Sequence, residues 1–152
     1  DNCHSIGVGL SSCTIPAVGH PNFHIEDGTM EIGIGHHGEP GIEVSPIQKA
    51  SGIAAAMLDY ITTDMTPNAG DEVVVLVSGL GATPVMELYI YYAEVEKLLT
   101  AQGVRIHRQY VGNYFTSLEM MGVTLTVMKV DAELKELMDL PVQSIGLTQV
   151  EV

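Results

Sequence analysis

The sequence lacks tryptophan and is poor in cations, with six Lys and Arg against nineteen Asp and Glu and a formal net charge of -13. Such a surface repels phosphate backbones and anionic headgroups, so neither nucleic acid nor membrane is an expected partner. No run reaches eighteen apolar residues, which argues against a membrane span. No basic segment leads into an apolar one at the start, so no signal peptide is read and a cytoplasmic location is expected. Two cysteines, Cys3 and Cys13, are too few for a disulfide scaffold and form no C-x-x-C pair; buried reduced thiols are the expectation. Disorder is excluded by the 46% hydrophobic content. The 152 residues make a single domain with a proper core. The chain opens on Asp1 and enters an apolar run by Ile6, which suggests that sequence upstream is missing.

Periodicity divides the chain into strands and helices. Ser5–Ser12 reads as a strand, and Met30–Gly35 alternates Met30, Ile32 and Ile34 on one face. Between them Gly19, Pro21 and Asn22 mark a loop. From Lys49 to Met65 the stripe Ile53, Met57 and Ile61, with Ala54, Leu58 and Met65, predicts an amphipathic helix that Pro67 and Gly70 stop. Glu72–Val77 is a β-branched run suited to a strand covered on both faces. Thr83 and Pro84 then predict a capped helix burying Val85, Leu88, Tyr89, Tyr92, Val95 and Leu99. Val104–Val111 reads as a strand. Thr116 and Glu119 have the spacing of a capping box over a short helix. Val123–Val130 is a further strand, Asp131 caps a helix to Asp139, and Val142–Val150 is extended. The resulting fold class is α/β, a layered domain with a mixed β-sheet flanked by helices. Its amino-terminal strands, which no helix separates, are expected to pair antiparallel.

Two glycine-rich corners follow predicted strands, Gly33–Gly41 and Ser78–Pro84, at the edge where open α/β sheets place ligands. Neither is a phosphate loop, because G-x-x-x-x-G-K-[ST] is absent and no Lys or Arg precedes Lys49. Gly79-Leu80-Gly81 lacks the third glycine of a dinucleotide turn. The first corner carries His36 and His37, stripped of neighbouring side chains by Gly33, Gly35, Gly38 and Gly41. Adjacent residues seldom converge on one metal ion, and H-x-x-x-H spacing is missing, so no metal site is expected. A neutral imidazole can instead add to a carbonyl carbon; with an ordinary pKa of about 6.5 much of it is unprotonated at neutral pH. Asp59, Glu94, Glu96, Glu133 and Glu136 fall on the polar sides of helices. Ser11 and Ser12 lie outside any G-x-S-x-G elbow.

These residues resemble the K subunit or K domain of dihydroxyacetone kinases, in its carboxyl-terminal half. Ser11-Ser12-Cys13-Thr14-Ile15-Pro16, the HGEPG segment His37–Gly41, Gly79–Pro84 with Glu87-Leu88-Tyr89, and Thr116–Met120 with Gly122 carry the likeness, which extends over nearly the whole chain. The resemblance implies the carboxyl-terminal part of a two-domain subunit that works as a homodimer. It implies that His37 binds dihydroxyacetone through its carbonyl as a hemiaminal, making His37 both the catalytic and the substrate-binding residue. The family more often has an apolar residue where His36 stands. The resemblance further implies that this chain binds no cofactor, and that a Mg-nucleotide sits on a separate helical L subunit. The remaining substrate contacts, including a proton-abstracting aspartate, would belong to the amino-terminal half. A phosphotransferase-coupled kinase subunit is the leading expectation. A co-activator that senses dihydroxyacetone without phosphorylating it is the alternative.

Overall fold

The computed structural model describes residues 2–21, 23–35 and 39–150. A six-stranded mixed sheet runs in the order β3-β2-β1-β6-β4-β5. Its members are β1 (Cys3–Gly9), β2 (Thr29–Ile32), β3 (Glu43–Pro46), β4 (Glu72–Gly79), β5 (Arg105–Gly112) and β6 (Gly122–Lys129). Only β4 and β5 pair in parallel; the first three strands pair antiparallel, as their uninterrupted sequence requires. Helices α1 (Ala50–Met65) and α2 (Val85–Ala101) pack on one face. Helix α3 (Ala132–Asp139) and the hairpin β7 (Val142–Gln143) and β8 (Thr148–Gln149) follow β6.

The core lies between the sheet and α1 and α2. Val8, Val73, Val75, Val77, Leu125 and Val127 point from the sheet, against Ile53, Met57, Leu88, Val95 and Leu99 of the helices, and all are buried. Helix α1 ends where Thr66 turns left-handed at φ 43 and Pro67 cannot continue. Asp131 caps α3 by accepting from the Leu134 amide at 2.9 Å, a contact worth about 1 kcal/mol. The β4 run is buried on both faces as far as Val73, Val74, Val75 and Val77, because β5 and β6 flank it and α3 and the hairpin cover part of its second side.

Several expectations are corrected. Strand β2 stops at Ile32, because Gly33 takes φ 78 and turns the chain aside. Strand β3 went unread in the sequence; its Glu43, Val44 and Pro46 are exposed, so no burial alternation marks it. The buried stripe of α2 is Leu88, Tyr91, Val95 and Leu99, while Val85 and Tyr89 are exposed and Tyr92 is half-buried. Thr83 does not cap that helix; its side chain is engaged by Gly122. No helix forms over 116–121, since Glu119 accepts the Thr14 amide at 2.6 Å across the fold and does not close a local box. The cysteines are free but not buried, Cys3 being exposed and Cys13 half-buried.

Candidate functional site

The second face of the sheet carries a patch of short residues, Gly7, Ser5, Thr124, Thr126 and Ser78. Across β1, β6 and β4 the row Gly7, Thr124 and Ser78 and the row Ser5, Thr126 and Leu76 lie in register. The Ser5 and Thr126 hydroxyls bond at 2.7 Å. Ser78 is fully buried. Its Oγ accepts from the amides of Tyr114 at 3.1 Å and Phe115 at 2.9 Å and donates to the Phe115 carbonyl. One hydroxyl thus fixes the turn after β5.

The Gly79–Thr83 corner is welded to the segment before β6. Leu80 exchanges backbone bonds with Gly122 and Ser117 at 3.2 and 3.0 Å, and the Ala82 amide donates to Met120 at 3.1 Å. Thr83 Oγ1 donates to the Gly122 carbonyl at 2.7 Å and accepts from its amide at 2.9 Å. Gly81 has φ 122 and its missing Cβ would strike the Leu118 carbonyl, so glycine is required there both by conformation and by space.

Ser11–Thr14 ties the loops above this face together. Ser11 Oγ accepts the Met121 amide at 2.8 Å, Ser12 Oγ accepts the Ile25 amide at 3.2 Å, and Ser117 Oγ donates to Cys13 Sγ at 3.3 Å. The two serine hydroxyls anchor backbone donors. Buried Ile25, Leu80 and Met120 form a second small core beneath these loops.

The first corner begins at Gly33, whose amide donates to the Gly7 carbonyl at 2.7 Å, and closes where the Ile42 amide donates to Ile32 at 2.7 Å. Inside it, the Gly35 amide donates to the Glu39 carbonyl at 3.0 Å, and the Glu39 side chain lies where a Cβ on Gly35 would stand. His36, His37 and Gly38 fall between those pinned ends and lie outside the described residues. The residue expected to bind the ketone, His37, therefore falls outside them as well. Gly35 and Leu80, one from each corner, line a single cavity of about 250 Å³. Cys13, Phe23, Phe115 and Met120 form its walls, and Gly7 and Thr124 belong to its floor. The enclosure comes from loops that sequence periodicity does not register.

Charge is segregated. Four of the six Lys and Arg residues, Arg105, Arg108, Lys129 and Lys135, pair with Asp71, Glu72 and Asp139 around β4, β5 and α3. Arg108 and His107 hold the Asp139 carboxyl below its usual range, Lys135 does so for Glu72, and Lys129 for Asp71. No Lys or Arg lines the shared cavity. Among the described residues no group of three His, Cys, Asp or Glu side chains is placed to hold a metal ion, and no helix is long and apolar enough to cross a membrane.

A mixed sheet with two glycine corners meeting at one cavity describes an α/β domain with a candidate ligand site. Residues 1–146 match the Dak1 domain, and the chain belongs to that family. It is 45% identical over 140 residues, 92% of its length, to "PTS-dependent dihydroxyacetone kinase 2, dihydroxyacetone-binding subunit DhaK" of Listeria innocua, covering 42% of that protein. It is 36% identical to the dihydroxyacetone-binding subunit DhaK of the PEP-dependent dihydroxyacetone kinase of Escherichia coli, with 95% of this chain and 47% of that one covered. Among solved structures, "Dihydroxyacetone kinase operon co-activator Dha-DhaQ" superposes with a TM-score of 0.84 at 29% identity, over 92% of this chain and 44% of that one. The mixed α/β layered fold is that of these relatives. The chain spans less than half the length of each of them.

Proposed function

We propose that residues 1–152 are a single domain, the carboxyl-terminal part of a two-domain dihydroxyacetone-binding K subunit, and that His37 captures the ketone. The observation that carries the reading is the cavity lined by Gly35 and Leu80, which opens beside the pinned ends of the histidine segment. In the capture step an imidazole nitrogen lone pair adds to the carbonyl carbon. The carbonyl π pair moves to oxygen, which takes up a proton, and a neutral hemiaminal results once the ring loses its own proton. Capture fixes the substrate, so that its terminal hydroxyl meets the phosphoryl group in one orientation.

Phosphoryl transfer needs groups that neutralise charge on the moving phosphate, and most of this chain's cations are committed to ion pairs around β4, β5 and α3. A separate L subunit carrying Mg-nucleotide supplies that charge, and an aspartate in the other half of the K subunit takes the hydroxyl proton. The complete K subunit acts in the cytoplasm as a homodimer coupled to the phosphotransferase system, and this chain binds no cofactor itself. The test is an assay of the full-length subunit with dihydroxyacetone, the L partner and its phosphoryl donor. Product is expected only with all components present, and turnover by the 152-residue chain with Mg-ATP alone would refute the reading.

A second reading has its own support in the fit to the structure of the dihydroxyacetone kinase operon co-activator. In that case the full-length subunit captures dihydroxyacetone without phosphorylating it. Adduct formation with no turnover in the complete assay would select this reading.

A further inference from the structure

Strand β1 pairs with β6 along its whole length, from Cys3 opposite Met128 to Gly9 opposite Gly122. On its other side the β2 ladder covers only Val8 and Gly9, and the last bond is Gly33 N–H to the Gly7 carbonyl. Gly33, at φ 78, then turns the chain away. The bonds from Lys129 to the Asn2 carbonyl and from Leu10 to the Met121 carbonyl direct the even-numbered residues toward β6. By alternation the backbone groups of Cys3 and Ser5 face outward, and no strand among the described residues pairs with them.

This open edge borders a cavity of about 510 Å³. Ile6, Ile34, Ile42 and Tyr60 supply apolar walls, and Asp59 and Asp64 of α1 an acidic one, with no Lys or Arg lining it. Gly7, Ile34 and Thr124 line this cavity and the site cavity alike, so the two adjoin along the sheet.

We propose that the Cys3–Gly7 edge of β1 receives an extended segment by strand addition, and that the segment comes from the half of the subunit outside this chain. This rests on the two-domain reading above. Five residues of edge offer about 16 Å at ~3.3 Å per residue, enough for a short strand. Alternate residues of that segment are apolar, toward Ile34 and Ile42, and Lys or Arg, toward Asp59 and Asp64. The source follows from length, since the relatives are more than twice as long as this chain. A tethered segment also meets the edge at a high effective concentration, and it covers an edge that would otherwise invite aggregation. The added strand would run directly into the site cavity, and so would bring the other half's side chains to it.

Amide hydrogen exchange, read residue by residue in the 152-residue chain and in the full-length subunit, tests this. In the chain alone, the amides of Cys3 and Ser5 should exchange fast while those of His4 and Ile6 stay protected by β6. In the full-length subunit, Cys3 and Ser5 should slow by at least ~100-fold, as buried ladder amides do. Ser5→Pro removes an outward N–H and leaves the β6 ladder intact; it should return Cys3 to fast exchange, with His4 and Ile6 still protected. Ser5→Ala should not. Fast exchange at Ser5 in a full-length subunit that still captures dihydroxyacetone would overturn the strand addition and leave the two-domain reading standing. Slowing in the isolated chain with rising concentration would overturn it in favour of a second copy. Failure of the full-length subunit to capture the ketone would instead defeat the underlying reading.

Discussion

The two faces of the sheet are held by different physics. Toward α1 and α2, aliphatic residues such as Val75, Leu125 and Val127 pack against Met57, Leu88 and Leu99, and stability there is a matter of buried area and fit. On the opposite face Ser78, and in the loops above it Ser11 and Ser12, hold backbone amides of distant segments. One face keeps the domain folded; the other keeps the site shaped. Substitutions should therefore separate into those that lower stability with the site intact, and those that damage the site out of proportion to stability.

The largest effect belongs to the packed face. Leu125→Ala empties a fully buried position and should cost about 3 kcal/mol, seen as a lower denaturant midpoint. At a temperature where the variant stays folded, ketone capture by the full-length subunit should be unchanged. Loss of capture in a folded Leu125→Ala protein would break the division between the faces.

Ser78→Ala should cost less, about 1–2 kcal/mol for two half-buried amides that lose this acceptor. It should nevertheless weaken ketone binding at least ~10-fold by releasing Phe115 from the cavity wall, with Ser78→Thr restoring part of it. Wild-type binding in Ser78→Ala would place the turn after β5 outside the site. Tyr91→Phe sharpens the contrast from the other side. The phenol is buried, its ionisation suppressed by desolvation, and its hydroxyl donates to Met57 Sδ at 3.2 Å. Removing that bond should cost about 1 kcal/mol or less and leave the site untouched.

The smallest effect concerns pH. Asp71, Glu72 and Asp139 are held below their usual values by paired cations. Their contribution to stability is present above the unfolded carboxylate range, near pH ~4, and is lost as pH falls through the depressed folded values. Denaturation midpoints measured downward from pH 5 should fall, and Asp139→Asn should make the fall shallower. An unchanged slope would show that these partly exposed pairs contribute nothing.

The packed face was largely legible in the sequence. The α1 stripe, the β4 run and the Asp131 cap follow from spacing and capping chemistry, and all appear where spacing puts them. Reading failed where tertiary contacts override local pattern. Thr83 and Glu119 have capping chemistry but spend it on Gly122 and Thr14, and Tyr91 replaces Tyr89 because the helix is rotated onto its Leu88–Val95 stripe. The glycine corners were visible as glycines, and their meeting at one cavity needed the sheet order, which no single-chain periodicity encodes. Ser78 carried no signal beyond its place at the end of a buried strand.

The central claim is that His37, and not His36, adds to the ketone. Dihydroxyacetone labelled with carbon-13 at its carbonyl, mixed with the full-length subunit and followed by NMR, reads that step directly. The account predicts that the carbonyl resonance gives way to one in the range of saturated carbon bearing oxygen and nitrogen. That resonance should survive His36→Ala, disappear in His37→Ala, and weaken on acidification as the imidazole lone pair is protonated. A persistent adduct in His37→Ala, or an unaltered carbonyl resonance with the intact subunit, would contradict it.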